Sequence, residues 1–371
     1  MRSLKKFMAA GLAAAMVFSM TACSSKPAET AAPETQAETT ADTTAEAVEE
    51  AKTEAAEAVE GKDPAEVKVG ISIYQFADNF MTVYRQELER YLTEELGVKK
   101  ENISIMDGKN DQGEQMNQIR NFITTGVDVM IINLVQASSE PTVTEECAKA
   151  GIPVVYINRE PEAEREQAWV DEGIKATYVG ADARQSGTFQ GEEIAELENK
   201  GDADGDGVVR YIMVQGDPEN VDAQYRTEFS VKALTDAGME VEQLDLQRGD
   251  WDRNKGQEIA QNDLAKFGDE IEVVFCNNDD MAIGALQAIQ AAGRTVNEDI
   301  YLVGVDALDA ALNEVAAGNM TGTVLNDANG QAEGAVEAME ALLGGKTYAS
   351  GEQSIYVDYV KVTPENVADF Q

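Results

Sequence analysis

Polar side chains follow the apolar, strand-like runs of this sequence with unusual regularity. A single Asn or Asp at such a junction commonly caps the next helix, and that interpretation holds for each residue taken alone. Together, neutral amides and a few carboxylates offer both hydrogen-bond donors and acceptors, which suits a ligand with many hydroxyl groups. No G-x-G-x-x-G segment follows a strand, so a dinucleotide is not indicated. The residues are Asn133, Asn158, Arg159, Gln215, Asn277, Asn278, Asp306 and Asn326.

Two aromatic residues and one charged pair suit the same kind of ligand. Phe80 follows the first strand-like run, and Trp251 follows a later one among Asp, Gly and Arg residues. Flat rings can cover the C–H faces of a pyranose, although either ring could instead belong to a core or to the surface. Asp222 and Arg226 are four residues apart at a predicted helix start, which gives either a surface ion pair or a joint contact with ligand hydroxyls.

An aspartate-rich segment has the spacing of a calcium-binding loop. It matches an EF-hand loop through its seventh position, whose backbone carbonyl serves as a ligand. The ninth position is Arg210, which cannot ligate a cation, and the twelfth is Met213, which has no carboxylate. The sequence predicts a calcium site that needs a carboxylate from elsewhere in the fold, the alternative being an acidic surface turn. The predicted ligands in the loop are Asp202, Asp204, Asp206 and Val208.

Alternating strand-like and helical segments must position these residues. From residue 67 onward, short apolar runs alternate with amphipathic helical ones in two series. Repeated βαβ units predict an α/β fold with two doubly wound, Rossmann-like lobes. In open parallel sheets, ligands bind beyond the carboxyl ends of the strands, which is where the polar residues fall.

Composition excludes several function classes. The formal charge of −40, without a basic patch, argues against nucleic acid. The chain has no histidine, which removes Ser-His-Asp and Cys-His catalysis and argues against an enzyme. With carboxylates at their reference pKa of about 4, ligand affinity is expected to be flat between about pH 5.5 and about pH 7.5. Three cysteines indicate neither a disulfide framework nor a zinc site.

The N-terminal segment is predicted to be processed and then to act as a tether. Residues 1–22 have the basic start and short apolar run of a signal peptide. The run ends in Met20-Thr-Ala-Cys23, which resembles the lipobox of bacterial lipoproteins, where the Cys is lipidated. An ordinary cleavage site with a chance Cys is the alternative. Residues 23–66 are then expected to be a lipidated Cys23 and a disordered acidic tether, because they contain no aromatic residue.

Six motifs follow one another along the chain. They are Asp78-Asn-Phe80, Asn110-Asp-Gln112, Ile132-Asn-Leu-Val135, Asn277-Asn-Asp-Asp-Met281, Gly304-Val-Asp-Ala-Leu308 and Thr323-Val-Leu-Asn-Asp-Ala-Asn329. In this order they resemble the galactose/glucose-binding proteins of bacterial ABC sugar uptake systems, which are type I periplasmic binding proteins. The resemblance implies two lobes joined by three hinge crossovers that close on one hexose. We expect the N-terminal lobe to comprise residues 67–152 and 327–357, and the C-terminal lobe 153–326 and 358–371.

The same resemblance implies roles for individual residues. Phe80 and Trp251 would sandwich the sugar ring, and Asn220 stands where the family has a cleft histidine. Glu272 would complete the calcium loop. The residues implied to hydrogen-bond the sugar are Asp78, Asn133, Asp222, Arg226, Asn278, Asp306 and Asn326.

The sequence-based hypothesis is an extracytoplasmic, lipid-anchored protein that captures D-galactose or D-glucose and delivers it to an ABC permease. It is expected to be a monomer with calcium as its cofactor, with a chemoreceptor as a second candidate partner, and to touch the membrane only through its lipid. One alternative is another small sugar, a pentose or other hexose. Another is the effector-binding part of a transcriptional repressor, which shares the fold, but the lipobox and the lack of a helix-turn-helix argue against it.

Overall fold

A computed structural model describes residues 61–371, and every structural statement below concerns that part of the chain. The predicted signal peptide, Cys23 and most of the tether lie outside the described residues.

Strands and helices alternate through the described chain, as the periodicity predicts. The strands are β1 (Val69–Ile73), β2 (Ile103–Asp107), β3 (Val129–Ile132), β4 (Val154–Ile157), β5 (Ala176–Gly180), β6 (Val208–Gln215), β7 (Glu240–Arg248), β8 (Val273–Cys276), β9 (Tyr301–Val303), β10 (Thr323–Leu325), β11 (Ser354–Tyr356) and β12 (Val360–Val362). The α-helices are α1 (Asn79–Arg90), α2 (Gln112–Thr125), α3 (Glu140–Ala150), α4 (Ala163–Asp171), α5 (Ala183–Ala195), α6 (Val221–Asp236), α7 (Arg253–Phe267), α8 (Asp279–Ala291), α9 (Asp309–Ala316) and α10 (Ala328–Leu343).

The first lobe is built on a six-stranded parallel sheet in the order β11-β5-β4-β3-β1-β2. Successive residues of a strand point to opposite faces of the sheet, so each strand contributes side chains to two hydrophobic cores. In β3, Ile131 packs into the core on one face, and Met130 and Ile132 pack into the core on the other. Helices cover both faces, which explains why the central strands are apolar throughout rather than alternating.

The second lobe is built on a four-stranded parallel sheet in the order β7-β6-β8-β9. An antiparallel pair of β10 and β12 accompanies it. Two further cores cover the faces of this sheet, one of them containing much of α8.

The chain crosses between the lobes three times. The crossings lie between β5 and α5, between β10 and α10, and between β11 and β12, where sheet membership changes. Two doubly wound α/β lobes joined by three crossovers confirm the predicted fold class.

The predicted boundary between residues 152 and 153 is wrong. β4 pairs with β3, and β5 pairs with β4, so the first sheet continues through Gly180. Strand patterns are alike in the two lobes, and periodicity identifies a strand without revealing which sheet it joins.

The predicted end of the tether, at residue 66, is also wrong, because the folded lobe begins earlier in the chain. Lys62 pairs with Asp128 at 2.6 Å, and the carbonyl of Ala65 accepts a hydrogen bond from the Asn102 amide at 3.0 Å. Both contacts attach the chain to the first lobe before residue 66. Within residues 61–371, none of the helices combines the length and the apolar character needed to cross a bilayer.

Candidate functional site

A cavity with about 340 Å³ of empty space lies between the lobes, at the carboxyl ends of their strands. The cavity is lined by Tyr74, Asp78, Phe80, Met81, Asn158, Arg159, Asn220, Asp222, Arg226, Trp251, Asn278, Asp306 and Asn326. Nine of the ten predicted sugar-binding residues are therefore brought together, and Asn133 is the exception.

The first lobe contributes a carboxylate and a ring from one helix start. Asp78 is the N-cap of α1, and its side chain accepts from the amide of Met81 at 2.9 Å. Its other oxygen accepts from the hydroxyl of Tyr74. Phe80 follows two residues later and packs edge-on against Tyr84, so the α1 core fixes the ring that faces the cavity.

The second lobe contributes side chains from two more helix starts. Asn220 caps α6 by accepting from the amide of Asp222, and Asn278 caps α8 by accepting from the amide of Met281. The Asn278 amide also donates to the carbonyl of Trp251 at 3.3 Å. Asn220 and Asn278 therefore cap helices and also line the cavity. Three helix N-termini, each with partial positive charge, surround the cavity.

Arg226 is held rigidly at the centre of the second lobe. Its guanidinium donates to the hydroxyl of Ser186, the carbonyl of Asn277 and the hydroxyl of Tyr359, at 3.3, 2.8 and 3.0 Å. Its side chain lies 3.8 Å from Asp222, and both are almost fully buried, with 4% and 5% of the side chain exposed. Asp222 and Arg226 are therefore not a surface ion pair but a buried one that faces the cavity.

The Trp251 ring packs directly against the backbone at Gly216. A Cβ at Gly216 would come within 2.2 Å of the ring, so only glycine leaves room for the indole against this turn. Trp251 itself has φ of 64°, in the left-handed region that a bulky side chain seldom adopts. Phe80 and Trp251 line the cavity from opposite lobes, as a sandwich requires.

Two other cavity residues share this unusual backbone conformation. Asn158 has φ of 61° and Asp306 has φ of 121°. Such conformations persist only where surrounding contacts enforce them, and they concentrate at functional sites. For Asp306, those contacts include the amide hydrogen bond to the carbonyl of Val324 and a donor from Asn326 to its carboxylate at 3.3 Å.

Burial raises the pKa of the three carboxylates that line the cavity. It raises the pKa of Asp222 to about 7, although the neighbouring Arg226 partly opposes the shift. Burial also raises the pKa of Asp78 and, more strongly, that of Asp306. Removal from water disfavours a charged carboxylate, so these groups gain most from a ligand that donates hydrogen bonds to them.

Two buried polar atoms in the cavity have no partner within the described residues. They are Oδ1 of Asp222, an acceptor, and Nε of Arg159, a donor. Leaving a buried polar atom unsatisfied costs roughly 1–3 kcal/mol, more for a charged group. A ligand that offers both donors and acceptors would satisfy both atoms.

Asn133 lies behind the cavity and not in it, so its predicted direct sugar contact is wrong for this structure. Its side-chain oxygen accepts from the amide of Tyr74 at 3.2 Å. Its side-chain nitrogen donates to the carbonyl of Ile157 at 3.2 Å and to the side chain of Asn158 at 3.0 Å. Being fully buried and satisfied, Asn133 positions Asn158 instead.

Four lining residues were not predicted as site residues. Asn158 and Arg159 belong to the polar set that follows the strands, but the resemblance implied no sugar contact for them. Tyr74 and Met81 had no such signal, because a Tyr ending a strand and a Met opening a helix are typical of a core. Arg159 stacks over the ring of Tyr74 at 4.0 Å.

Direct contacts between the lobes close the cavity. Asn79 of α1 in the first lobe donates to Asp280 of α8 in the second at 2.6 Å, and Arg253 of the second lobe holds the same carboxylate. Arg159 of the first lobe lies 3.7 Å from Asp217 of the second. Side chains from both lobes therefore enclose the cavity.

The aspartate-rich loop fits a metal ion only in part. Carboxylate oxygens of Asp202, Asp204 and Glu272 lie within 4.8 Å of one another, which is compatible with a single cation. Glu272, predicted to complete the site, does reach the loop, where it accepts from the amides of Ala203 and Asp204. Asp206 does not join the cluster.

The fold and the cavity together define a two-lobed binding protein for a small polar solute. A family model described as "Periplasmic binding protein domain" matches residues 69–347, and the chain belongs to this family. Its relatives are solute-binding proteins and not enzymes, which confirms the prediction of binding without catalysis. The family is extracytoplasmic.

Three similar proteins have names that print a ligand. The chain is 32% identical to the D-galactose/methyl-galactoside binding periplasmic protein MglB of Haemophilus influenzae, over 82% of this chain and 92% of that protein. It is 36% identical to a putative rhizopine-binding protein of Rhizobium meliloti, with the same coverages. A solved ABC transporter solute binding protein from Bacillus halodurans, with bound myo-inositol, is 29% identical with a TM-score of 0.70, over 84% of this chain and 98% of that one.

Proposed function

We propose that this protein captures D-galactose or D-glucose in the closed cavity between its lobes and delivers the sugar to an ABC permease. The observation that carries the proposal is the lining itself, in which two aromatic rings from opposite lobes flank a set of carboxylates, amides and guanidinium groups. Apolar ring faces meet the C–H faces of a pyranose, while the polar rim meets its hydroxyls.

The buried unpartnered atoms support a hydroxyl-rich ligand in particular. Oδ1 of Asp222 accepts from a hydroxyl, and Nε of Arg159 donates to one. A ring with adjacent hydroxyls satisfies both without adding a charge to a cavity that already contains two guanidinium groups and three carboxylates. The lobes close because the ligand contacts both of them, so binding stabilises the closed arrangement.

A ring polyol such as myo-inositol is the second candidate, and another small sugar such as a pentose is a third. The solved relative with bound myo-inositol favours the polyol. Asn220 caps a helix with its side-chain oxygen and is never charged, so it selects among hydroxyl arrangements by hydrogen bonding alone.

A ligand panel separates these candidates. Native mass spectrometry of the folded chain with D-galactose, D-glucose, D-ribose and myo-inositol should show one bound hexose per chain, recovered unchanged. Preferential retention of D-ribose or myo-inositol would replace the hexose proposal, and a chemically altered ligand would contradict the binding role.

We also propose that Cys23 carries a lipid that anchors the protein to the cell membrane through a solvated spacer. The spacing of the lipobox-like segment supports this. Metabolic labelling with a fatty acid should mark the wild type and leave Cys23→Ser unlabelled, and equal labelling of both would exclude the anchor. We propose further that the protein acts as a monomer toward its permease, with a chemoreceptor as a second partner.

We propose, finally, that the aspartate-rich loop binds calcium through Asp202, Asp204, Asp206, the Val208 carbonyl and Glu272, remote from the sugar. Hard oxygen ligands in this number suit calcium. Calcium should raise the melting temperature without changing sugar affinity, and a melting temperature that ignores both calcium and chelator would remove the site.

A further inference from the structure

The side chain of Arg210 brings a positive charge to the aspartate-rich loop. Arg210 occupies the third position of β6, and its guanidinium reaches three carboxylates with three different nitrogens. Nη2 lies 2.7 Å from Asp206, Nε 3.3 Å from Glu242 and Nη1 3.7 Å from Asp204. In the described residues, the salt bridges to this loop all come from Arg210.

Two neighbouring strands fix that guanidinium. Arg210 stands directly opposite Glu242 in the parallel pairing of β6 with β7, so Glu242 holds the side chain from the strand alongside. The backbone amide of Arg210 also donates to Glu272 at 2.8 Å. Only 20% of the Arg210 side chain is exposed, which shows that it folds over the loop rather than into solvent.

Backbone amides already satisfy the inner carboxylates. Asp202 accepts from the amides of Gly205, Asp206 and Gly207, at 2.8 to 3.2 Å. Glu272 accepts from three amides in the same way. These bonds hold the loop in shape, and the guanidinium, which stays protonated at all ordinary pH values, supplies positive charge beside its carboxylates.

We infer that Arg210 is a tethered cation that takes the place of calcium in this loop, so that calcium binds only when the guanidinium leaves. The guanidinium lies 2.7 Å from the Asp206 oxygen and repels a second cation beside it, so it competes with calcium for the carboxylates of Asp204 and Asp206. The inference rests on the proposed calcium loop and is independent of the sugar.

The test compares calcium binding by the wild type and Arg210→Gln, with calorimetry and with thermal unfolding in calcium and in chelator. We expect the variant to bind calcium at least about tenfold more tightly, since removal of the competing charge is joined by a side-chain oxygen at the ninth loop position. Its melting temperature should rise at calcium concentrations about tenfold lower than the wild type needs, because calcium must displace the guanidinium in the wild type.

A matched control removes general charge effects. Arg120 pairs with Glu146 at 2.7 Å on the surface of the first lobe, so Arg120→Gln changes the net charge equally without touching the loop. If Arg210→Gln fails to fold, Glu242→Gln loosens the guanidinium and should give a smaller gain in calcium affinity.

Three outcomes would overturn the inference. One is tight calcium binding by the wild type, which would uphold the calcium site while refuting the competition. Another is a gain in Arg120→Gln equal to that in Arg210→Gln. The third is no calcium binding by any variant, which would refute the calcium loop as well and leave the sugar proposal untouched.

Discussion

Replacing Asp222 by Asn tests the charge at the centre of the cavity. The substitution keeps the size and shape of the side chain and removes its negative charge. The Asp222 side chain is about 5% exposed, its Oδ1 has no protein partner, and Arg226 is 3.8 Å away. A hydrogen bond to a charged group contributes roughly 1.5–3 kcal/mol, so we expect affinity for the sugar to fall about ten- to hundredfold.

Isothermal titration calorimetry measures that loss, and Asp111→Asn is the matched control. Asp111 also caps a helix, at the start of α2, but its side chain faces solvent on the first lobe. The control should bind like the wild type. An Asp222→Asn affinity within a factor of two of wild type would show that this carboxylate does not contact the ligand.

The same variant should alter the pH dependence of binding. Burial raises the pKa of Asp222 to about 7 in the ligand-free protein, whereas hydroxyl donors favour its charged form. Protons therefore compete with the ligand, and affinity should fall on the order of tenfold from about pH 7.5 to about pH 5.5. This differs from the flat profile expected from reference pKa values. Asp222→Asn should flatten the part near pH 7, leaving any dependence from Asp78 and Asp306, and a wild-type profile that is flat would refute the reasoning.

Three further substitutions probe how the site is held. Trp251→Phe should abolish the sugar-induced fluorescence change, because the other tryptophan, Trp169, is buried against Tyr156 in the first lobe; a surviving signal would mean that Trp251 does not report on the cavity. Gly216→Ala should displace the Trp251 ring and lower sugar affinity about tenfold in a calorimetric titration. Gly344→Ala is the control, because a Cβ added there meets no close atom of another element. Asn133→Ala should cost about 1–3 kcal/mol in urea unfolding, since buried partners at Tyr74 and Ile157 lose their hydrogen bonds, and an unchanged stability would contradict the positioning role.

Local pattern was enough to predict most of the fold and most of the cavity. The spacing of apolar residues and the turn residues between them located the strands. The rule that ligands bind beyond strand ends predicted that Asn278, Asp306 and Asn326 lie together, and all three line the cavity. The lobe to which β4 and β5 belong could not be read this way, because it depends on pairing between strands far apart in sequence.

Within the site, the sequence could not predict the direction in which each side chain points. Asn133 and Asn158 carry the same sequence signal, yet Asn133 is enclosed behind the cavity and Asn158, in a left-handed backbone conformation, lines it. Arg210 shows the same limit in the loop. Its position predicted that it could not ligate calcium, but only the structure shows its guanidinium between the carboxylates.

A calorimetric titration with D-galactose and D-glucose, followed by competition with myo-inositol, tests the central claim most directly. The cavity predicts one site per chain, with a hexose bound at least about tenfold more tightly than myo-inositol, a difference of roughly 1.4 kcal/mol. Tighter binding of myo-inositol, or no heat with either hexose, would contradict the proposal that this cavity is built for galactose or glucose.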